Sequence, residues 1–428
     1  MNLPPFQEML PSLGADLLDD AGGALFISVA ILLLFVGAEV ASRVLSLRVE
    51  FTRKLTHVGA GAVVLGMPWL LEHTVTVVVL SLAFAGILVG GRVTGLLGSI
   101  HNVERRTGGA YYYPFAVLGA WILSGGDALL YCVPLAVMAV ADTGAALVGQ
   151  RTGETTYKVM DGERTLEGSV AFFVLAFGVT LAGCAIAGRP GWPDMLLITL
   201  VVAGLTTAAE AVSIRGSDNL AIPYAAWLSL ERTERLGLES LGDWIVGMAL
   251  AVTVLVVTGE RAKLTAAGAM VVFMVCTLSY ALGGWVWFVP LAVLYALYLF
   301  VRRPEDPTEL DMVFPTTAGS MIVVLIYAHT DAPSLYLAYL TTVAANGAMA
   351  GALLAKRRGW LLVPAVLAGA MLPVASAVVF VPQTSLLLPV AGGLCAPLLY
   401  VLLSRVGVVG RRPVASLMCG LAIWWLPF

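Results

Sequence analysis

Charge is what this chain has least of. Only 12% of its 428 residues are Asp, Glu, Lys or Arg, and 59% are hydrophobic. A soluble protein of this length carries about twice that share of charge, so the soluble classes are excluded. Residues 360–428 contain no Asp or Glu at all. There is no basic excess either, with a net charge of −3, and no nucleic-acid partner is expected. Cysteine is equally sparse. Cys132, Cys184, Cys276, Cys395 and Cys419 lie in or beside apolar runs, without metal-ligand spacing and without a disulfide framework. The first residues carry Glu8, Asp16, Asp19 and Asp20 and lack a basic stretch, so a cleaved signal peptide is not expected.

What is abundant is hydrocarbon, with a mean hydropathy of +0.92. Apolar runs occur at 22–45, 57–71, 74–92, 111–125, 128–149, 167–187, 194–214, 220–231 and 241–259. Further runs occur at 264–282, 285–301, 313–329, 334–355, 360–381, 384–404 and 413–427. Runs of this length suit helices that cross a bilayer, and a β-barrel would show short alternating segments instead. The expectation is an all-α, polytopic transmembrane bundle with about 14–16 spans.

The basic residues predict orientation, because Lys and Arg collect on the cytoplasmic side. Arg43, Arg48, Arg53 and Lys54 follow the first run, and Arg92, Arg105 and Arg106 follow the third. Arg151, Lys158 and Arg164 follow the fifth, and Arg215 the seventh. Arg302, Arg303, Lys356, Arg357, Arg358, Arg411 and Arg412 keep the same register. The loops between carry almost no Lys or Arg, Arg189 excepted. Residues 1–21 are thus expected outside, and the charged loops on one cytoplasmic face of an integral, multi-pass protein (in a bacterium, of the plasma or inner membrane).

The segment 141–169, ADTGAALVGQRTGETTYKVMDGERTLEGS, breaks the apolar pattern. An ionisable residue at membrane depth is costly and usually faces a polar cavity. On one helix Asp142, Gly149 and Gly153 share a stripe, with Ala145 beside it. That pattern suits a metal with a phosphate against the helix; the alternative is close helix packing. Lys158 and Arg164 are phosphate partners by type. Thr165 can cap the next helix, and Gly168 and Ser169 can present N–H groups to an anion. The alternative there is an ordinary basic loop with a helix cap. Gly144–Gly149 has Walker spacing, but Gln150-Arg151 stand where Lys-Ser/Thr is needed, so a P-loop is excluded.

Three more groups belong to the same face. Arg53, Lys54 and His57 (RKLTH) open the second run, either as phosphate ligands or as a topology anchor. Arg105, Arg106, Gly108 and Gly109 precede Tyr111, Tyr112 and Tyr113, which read as an interfacial belt or a base-stacking platform. Glu210, Asp218 and Asn219 are oxygen ligands of the kind Mg²⁺ takes; otherwise Glu210 pairs with Arg215, and Asp218-Asn219 form a turn or cap. His73, His101 and His329 are given no role.

RKLTH at 53–57, the block 141–169 and EAVSIRGSDNLAIP at 210–223 together resemble the phytol kinase and dolichol kinase family, which is related to the phosphatidate cytidylyltransferases. The resemblance spans roughly 25–260, and its central block is similar to the CTP-binding motif of dolichol kinases. Asp142, Ala145, Gly149, Gly153, Thr165, Glu167 and Gly168 fall on motif positions. The spacing after Gly153 is one residue longer, and Glu163-Arg164 replace paired lysines. The ending at 210–223 resembles the phytol kinase branch.

The resemblance implies CTP-dependent phosphorylation of an isoprenoid alcohol (phytol, geranylgeraniol or a polyprenol) at the cytoplasmic face. Asp142 with Glu167 or Asp218 would hold Mg²⁺, and Lys158 and Arg164 would face the transferred phosphoryl group. Glu210 or Asp218 would align the hydroxyl, while Arg53, Lys54 and His57 would hold phosphate. A cytidylyltransferase making a CDP-lipid, or a non-enzymatic transporter, is the alternative. Residues 22–260 are read as the kinase-like domain. Residues 261–428 resemble only the opening of the phytyl-phosphate kinase family and lack its acidic motif after Asn346. They are read as an accessory domain for scaffolding, lipid access or homodimerisation.

Overall fold

The computed structural model describes residues 14–44, 49–94, 109–159, 162–189, 191–213, 216–262, 264–301, 313–355, 362–379, 387–406 and 411–424. His101, Arg48, Arg105, Arg106, Gly108, Arg215, Arg302, Arg303, Lys356, Arg357 and Arg358 lie outside the described residues.

The protein is an all-α polytopic bundle with one two-stranded hairpin. Every apolar run above falls on a described helix. Seven segments among the described residues are long and apolar enough to cross a membrane: Ala21–Ser42, Thr74–Gly91, Ala128–Thr152, Leu166–Ala187, Asp194–Val212, Ser240–Thr258 and Ala266–Leu297. The count is below 14–16 partly because several helices are short; two described below have only 17 and 16 residues. The surface is that of a membrane protein. Leu25, Phe26, Leu33 and Val36 of the first helix are all exposed, and such a row is tolerated in lipid and avoided in water.

Two compact units divide the chain, residues 1–238 and 239–428. The first begins with α1 (Ala21–Val44), α2 (Val49–Leu65), α3 (Thr74–Thr94) and α4 (Gly109–Ser124). α5 (Ala128–Ala136) runs through a π turn, Val137–Ala141, into α6 (Asp142–Thr152). Strands β1 (Thr156–Val159) and β2 (Gly162–Thr165) follow, then α7 (Leu166–Ala187), α8 (Asp194–Val212) and the start of α9 (Asp218–Ala262). A left-handed Gly237 (φ 69°) interrupts α9, a conformation glycine adopts without steric cost.

Helices that alternate in direction send successive connections to opposite ends, and cross-chain contacts bear this out. At one end Asp20 accepts from the N–H groups of Glu72 and His73 at 2.9 and 3.0 Å. At that same end Arg189 pairs with Asp127 and, at 2.8 Å, with Glu234. At the other end, Asn219 donates its side-chain amide to Gly109 O at 2.8 Å. Between the ends the core is apolar, with Leu135, Val137, Met138 and Phe172 fully buried. Tyr131, also buried, donates its hydroxyl to Val64 O at 2.9 Å.

In the second unit a left-handed Gly284 splits α10 (Ala266–Val301) close to the gap expected between the runs 264–282 and 285–301. Then come α11 (Val313–Thr330), α12 (Leu335–Ala355), α13 (Leu362–Ala375), α14 (Leu387–Leu394), α15 (Ala396–Val406) and α16 (Arg411–Trp424). α12 is the buried centre. Its Gly347 faces Gly369 of α13 so closely that a Cβ on either would collide with the other's backbone. Small residues of this kind drive helix association where water does not.

Candidate active site

The end of the first unit that carries the hairpin gathers most of the ionisable residues singled out by sequence. Asp142 opens α6 directly after the π turn. Pro134 sits inside α5, where it lacks an N–H and crowds the preceding turn, so the regular ladder is disturbed just before Asp142. π turns of this kind recur at functional sites, since one added residue per turn re-aims the side chains beyond it.

α2 supplies the partners of Asp142. Lys54 Nζ lies 2.6 Å from Asp142 Oδ2, with both side chains largely buried. His57 Nε2 lies 3.9 Å from the same oxygen and 3.4 Å from Met138 O. The approach is close because Gly61, one turn further along α2, has no Cβ; one built there would stand 2.6 Å from Ala139 Cβ. Arg53, half-buried, adds positive potential around Asp142 and His57.

The hairpin decides which loop cation enters the cluster. Its register pairs Tyr157 with Arg164 and Lys158 with Glu163. Directly opposed residues share a face and neighbours alternate, so Tyr157 and Arg164 point one way and Lys158 and Glu163 the other. Tyr157 meets Ser169 through a 2.6 Å contact between hydroxyls, and Arg164 forms an ion pair with the buried Glu210 of α8. Lys158 and Glu163 are exposed. The two loop cations expected together are thus separated, with Arg164 in the cluster and Lys158 facing away.

Asp218, half-buried at the start of α9, lies within electrostatic reach of Asp142, Arg164 and Lys54. Burial, and then the charge of Asp142, push its carboxyl above the usual carboxylate range. Two carboxylates held in mutual repulsion suit a cation. Mg²⁺ is usually bound by one or two carboxylates together with substrate phosphates, so Asp142 and Asp218 fit that role. No cluster of three or more His, Cys, Asp or Glu that could enclose a metal occurs among the described residues.

The remaining candidates brace the fold. Thr165 caps α7 by accepting from Gly168 N at 3.1 Å, so that N–H is already engaged. A Cβ at Gly149 would stand 2.6 Å from the Thr165 hydroxyl, and one at Gly168 2.8 Å from it and 3.2 Å from Ala145 O. A Cβ at Gly153 would collide with Thr165 as well, and Gly153 ends α6 by donating its N–H to Gly149 O at 3.1 Å. The glycine stripe therefore has a packing reason: it admits Thr165 between α6 and α7. Glu167 accepts from Thr155 N at 3.1 Å and closes the base of the hairpin. Asn219 ties α9 to the start of α4.

Two residues take roles that the sequence did not assign. Tyr157 positions the hairpin, and the turn signal for that hairpin was present as Asp161-Gly162, the dipeptide that favours a tight reversal. Tyr113 packs its ring edge-on against His57, with centroids 5.1 Å apart, and its hydroxyl is buried. It stands half-buried next to the cluster, whereas Tyr112 is exposed.

Comparison with known proteins finds a protein named phytol kinase from Synechocystis sp. It is 32% identical over 215 residues, which make up 48% of this chain and 90% of that protein. No family model matches the chain, and no solved structure matches it.

Proposed function

Since the chain belongs to the phytol kinase family, we propose that it transfers the γ-phosphoryl group of CTP to the hydroxyl of an isoprenoid alcohol at the cytoplasmic membrane face. The observation that carries this reading is the buried Lys54–Asp142 pair, with Asp218 and the Arg164–Glu210 pair around it at one end of the first unit.

Phosphoryl transfer asks for positioning and charge neutralisation more than for covalent chemistry. Asp142 and Asp218 would hold Mg²⁺, which when bound neutralises and orients the phosphates of the nucleotide. Arg164, fixed in direction by Glu210, faces the charge that builds on the transferred group. Lys54 and Arg53 add positive potential, and His57 is buried beside Asp142. The alcohol oxygen bonds to the γ-phosphorus as the bridge to the β-phosphate breaks, leaving a lipid monophosphate and CDP, with release of the hydroxyl proton.

Purified protein incubated with Mg²⁺, a panel of isoprenoid alcohols and CTP labelled at either the α- or the γ-phosphate tests this. Label reaching lipid only from the γ-position is the expected result, and ATP or UTP in place of CTP tests the donor. Label reaching lipid from the α-position would make the protein a cytidylyltransferase, and transfer from neither would end the kinase reading.

A further inference from the structure

We propose that an apolar cleft in the first unit holds the hydrocarbon chain of the alcohol, directing its hydroxyl toward Tyr113 and His57; this rests on the kinase reading above. The cleft is a half-open groove with an inner volume of about 50 Å³, and its walls are hydrocarbon apart from Ser81 and Tyr113. α1 contributes Ile31 and Phe35, α2 Ala60 and Val64, α3 Phe84 and α4 Tyr113.

One helix joins this cleft to the polar cluster. Along α2, Lys54 and His57 stand at Asp142, and Ala60 and Val64 come next at intervals of three and four residues on the same stripe. At 1.5 Å per residue, ammonium gives way to hydrocarbon within about 10 Å, and the cleft continues for about another 10 Å to Met67. A molecule with one polar end and a long apolar body matches that sequence of surfaces, with its polar end at Asp142. A nucleotide does not match it, since its phosphates and sugar would find no partners along the cleft.

Tyr113 marks the junction. It lines the cleft, touches His57, and its buried hydroxyl has no hydrogen-bond partner among the described residues. Buried polar groups are nearly always satisfied, and an alcohol whose tail fills the cleft brings its own hydroxyl to this side. The specificity-determining positions are then the small ones: Ala60 and Ser81 leave the width that the chain occupies.

A photoreactive geranylgeraniol analogue, crosslinked to the protein in phosphatidylcholine nanodiscs and mapped by mass spectrometry, tests the cleft without reference to turnover. Adducts on Phe35, Val64 and Phe84, competed by unlabelled geranylgeraniol and not by added phosphatidylcholine, are expected. Adducts only elsewhere would overturn the proposal, and so would equal competition by phosphatidylcholine, which would make the cleft a general acyl-chain site. Ala60→Phe should raise KM for the alcohol about tenfold while KM for CTP stays unchanged. Unchanged KM for the alcohol in that variant would equally overturn the proposal. Failure of the kinase reading would show as crosslinking without phosphoryl transfer; failure of the cleft would show as transfer without these adducts.

Discussion

At one end of the first unit Arg189 closes on Asp127 and Glu234; at the other, Arg164 closes on Glu210. What stands beside each pair differs. Asp127 also caps α5, accepting from the N–H groups of Leu129 and Leu130 at 2.8 and 3.2 Å, so its charge is fully used by the fold. Burial works against the ionised Asp127, but Arg189 and those N–H groups outweigh it and hold the carboxyl below its ordinary value. Beside Arg164, by contrast, the carboxyl of Asp218 is driven up by burial and by Asp142. Glu234 at the Arg189 end is raised too, by burial with Asp127 adding to it, but Arg189 lies 2.8 Å away and opposes the shift. At the other end the raised Asp218 faces Asp142 among Lys54 and Arg164, and perturbation by burial plus a named charge is a signature of functional sites.

The comparison breaks most sharply at Asp142. Asp142→Asn keeps the shape and removes the charge. Turnover should fall roughly 10²–10³-fold, the scale seen when one preorganised charge partner of a transition state is lost. Expression and solubility in detergent should remain. Radiolabel transfer to lipid at saturating CTP measures it, and activity near wild type would remove Asp142 from the machinery.

Arg164→Gln and Glu210→Gln come next. Each should lower turnover about 10²-fold. Because the two side chains act as one pair, the double variant should lose scarcely more than either single one, a departure from additivity of about 0.5–3 kcal/mol. Fully additive losses would mean that Glu210 acts on substrate independently of Arg164.

At the opposite end, Asp127→Ala should cost stability while leaving turnover intact. Loss of the cap is worth about 1 kcal/mol, and the half-exposed Arg189 adds little. The sign of the pH effect comes from the lowered carboxyl. Its contribution is complete above about pH 4, the ordinary Asp value, and is lost as pH falls through the lower folded value. Thermal unfolding in detergent should therefore separate wild type from variant at pH 7 and bring them together in acid. A drop in turnover parallel to the drop in stability would erase the distinction between the ends.

Much of this was readable from the chain. Hydropathy located the helices, even to the break near Gly284, because hydrocarbon length alone decides what spans a bilayer. Thr165 as a cap and Asp142 as the central carboxylate came from residue type at a given place in a span. What could not be read were facts of register. Which of Lys158 and Arg164 faces inward depends on strand parity, and four-residue strands leave too short a pattern to announce the hairpin in spite of Asp161-Gly162. The glycine stripe was ambiguous for a physical reason: a groove for phosphate and a groove for a neighbouring threonine demand the same absence of Cβ. The π turn depends on how α5 yields to Pro134, and Tyr113 on which helix α4 happens to meet.

The smallest effect is expected at Lys158, and it tests the parity argument directly. By charge alone Lys158 and Arg164 are equivalent, six residues apart on either side of one tight turn. The pairing Tyr157–Arg164 puts Arg164 on the face that carries Tyr157 toward Ser169, and the pairing Lys158–Glu163 puts Lys158 on the other. Removing an exposed charge beside an oppositely charged partner changes stability by about 0–1 kcal/mol. Lys158→Ala should therefore keep turnover within about twofold of wild type, and KM for CTP should shift no more than loss of one screened charge allows. Shifting the parity by inserting one residue into β1 should exchange the two faces, since a slip of one position turns every side chain over. Arg164 would then lose Glu210, and turnover should collapse to the level of Arg164→Gln. A Lys158→Ala variant as impaired as Arg164→Gln would mean that the hairpin refolds around the nucleotide, with both cations on phosphate.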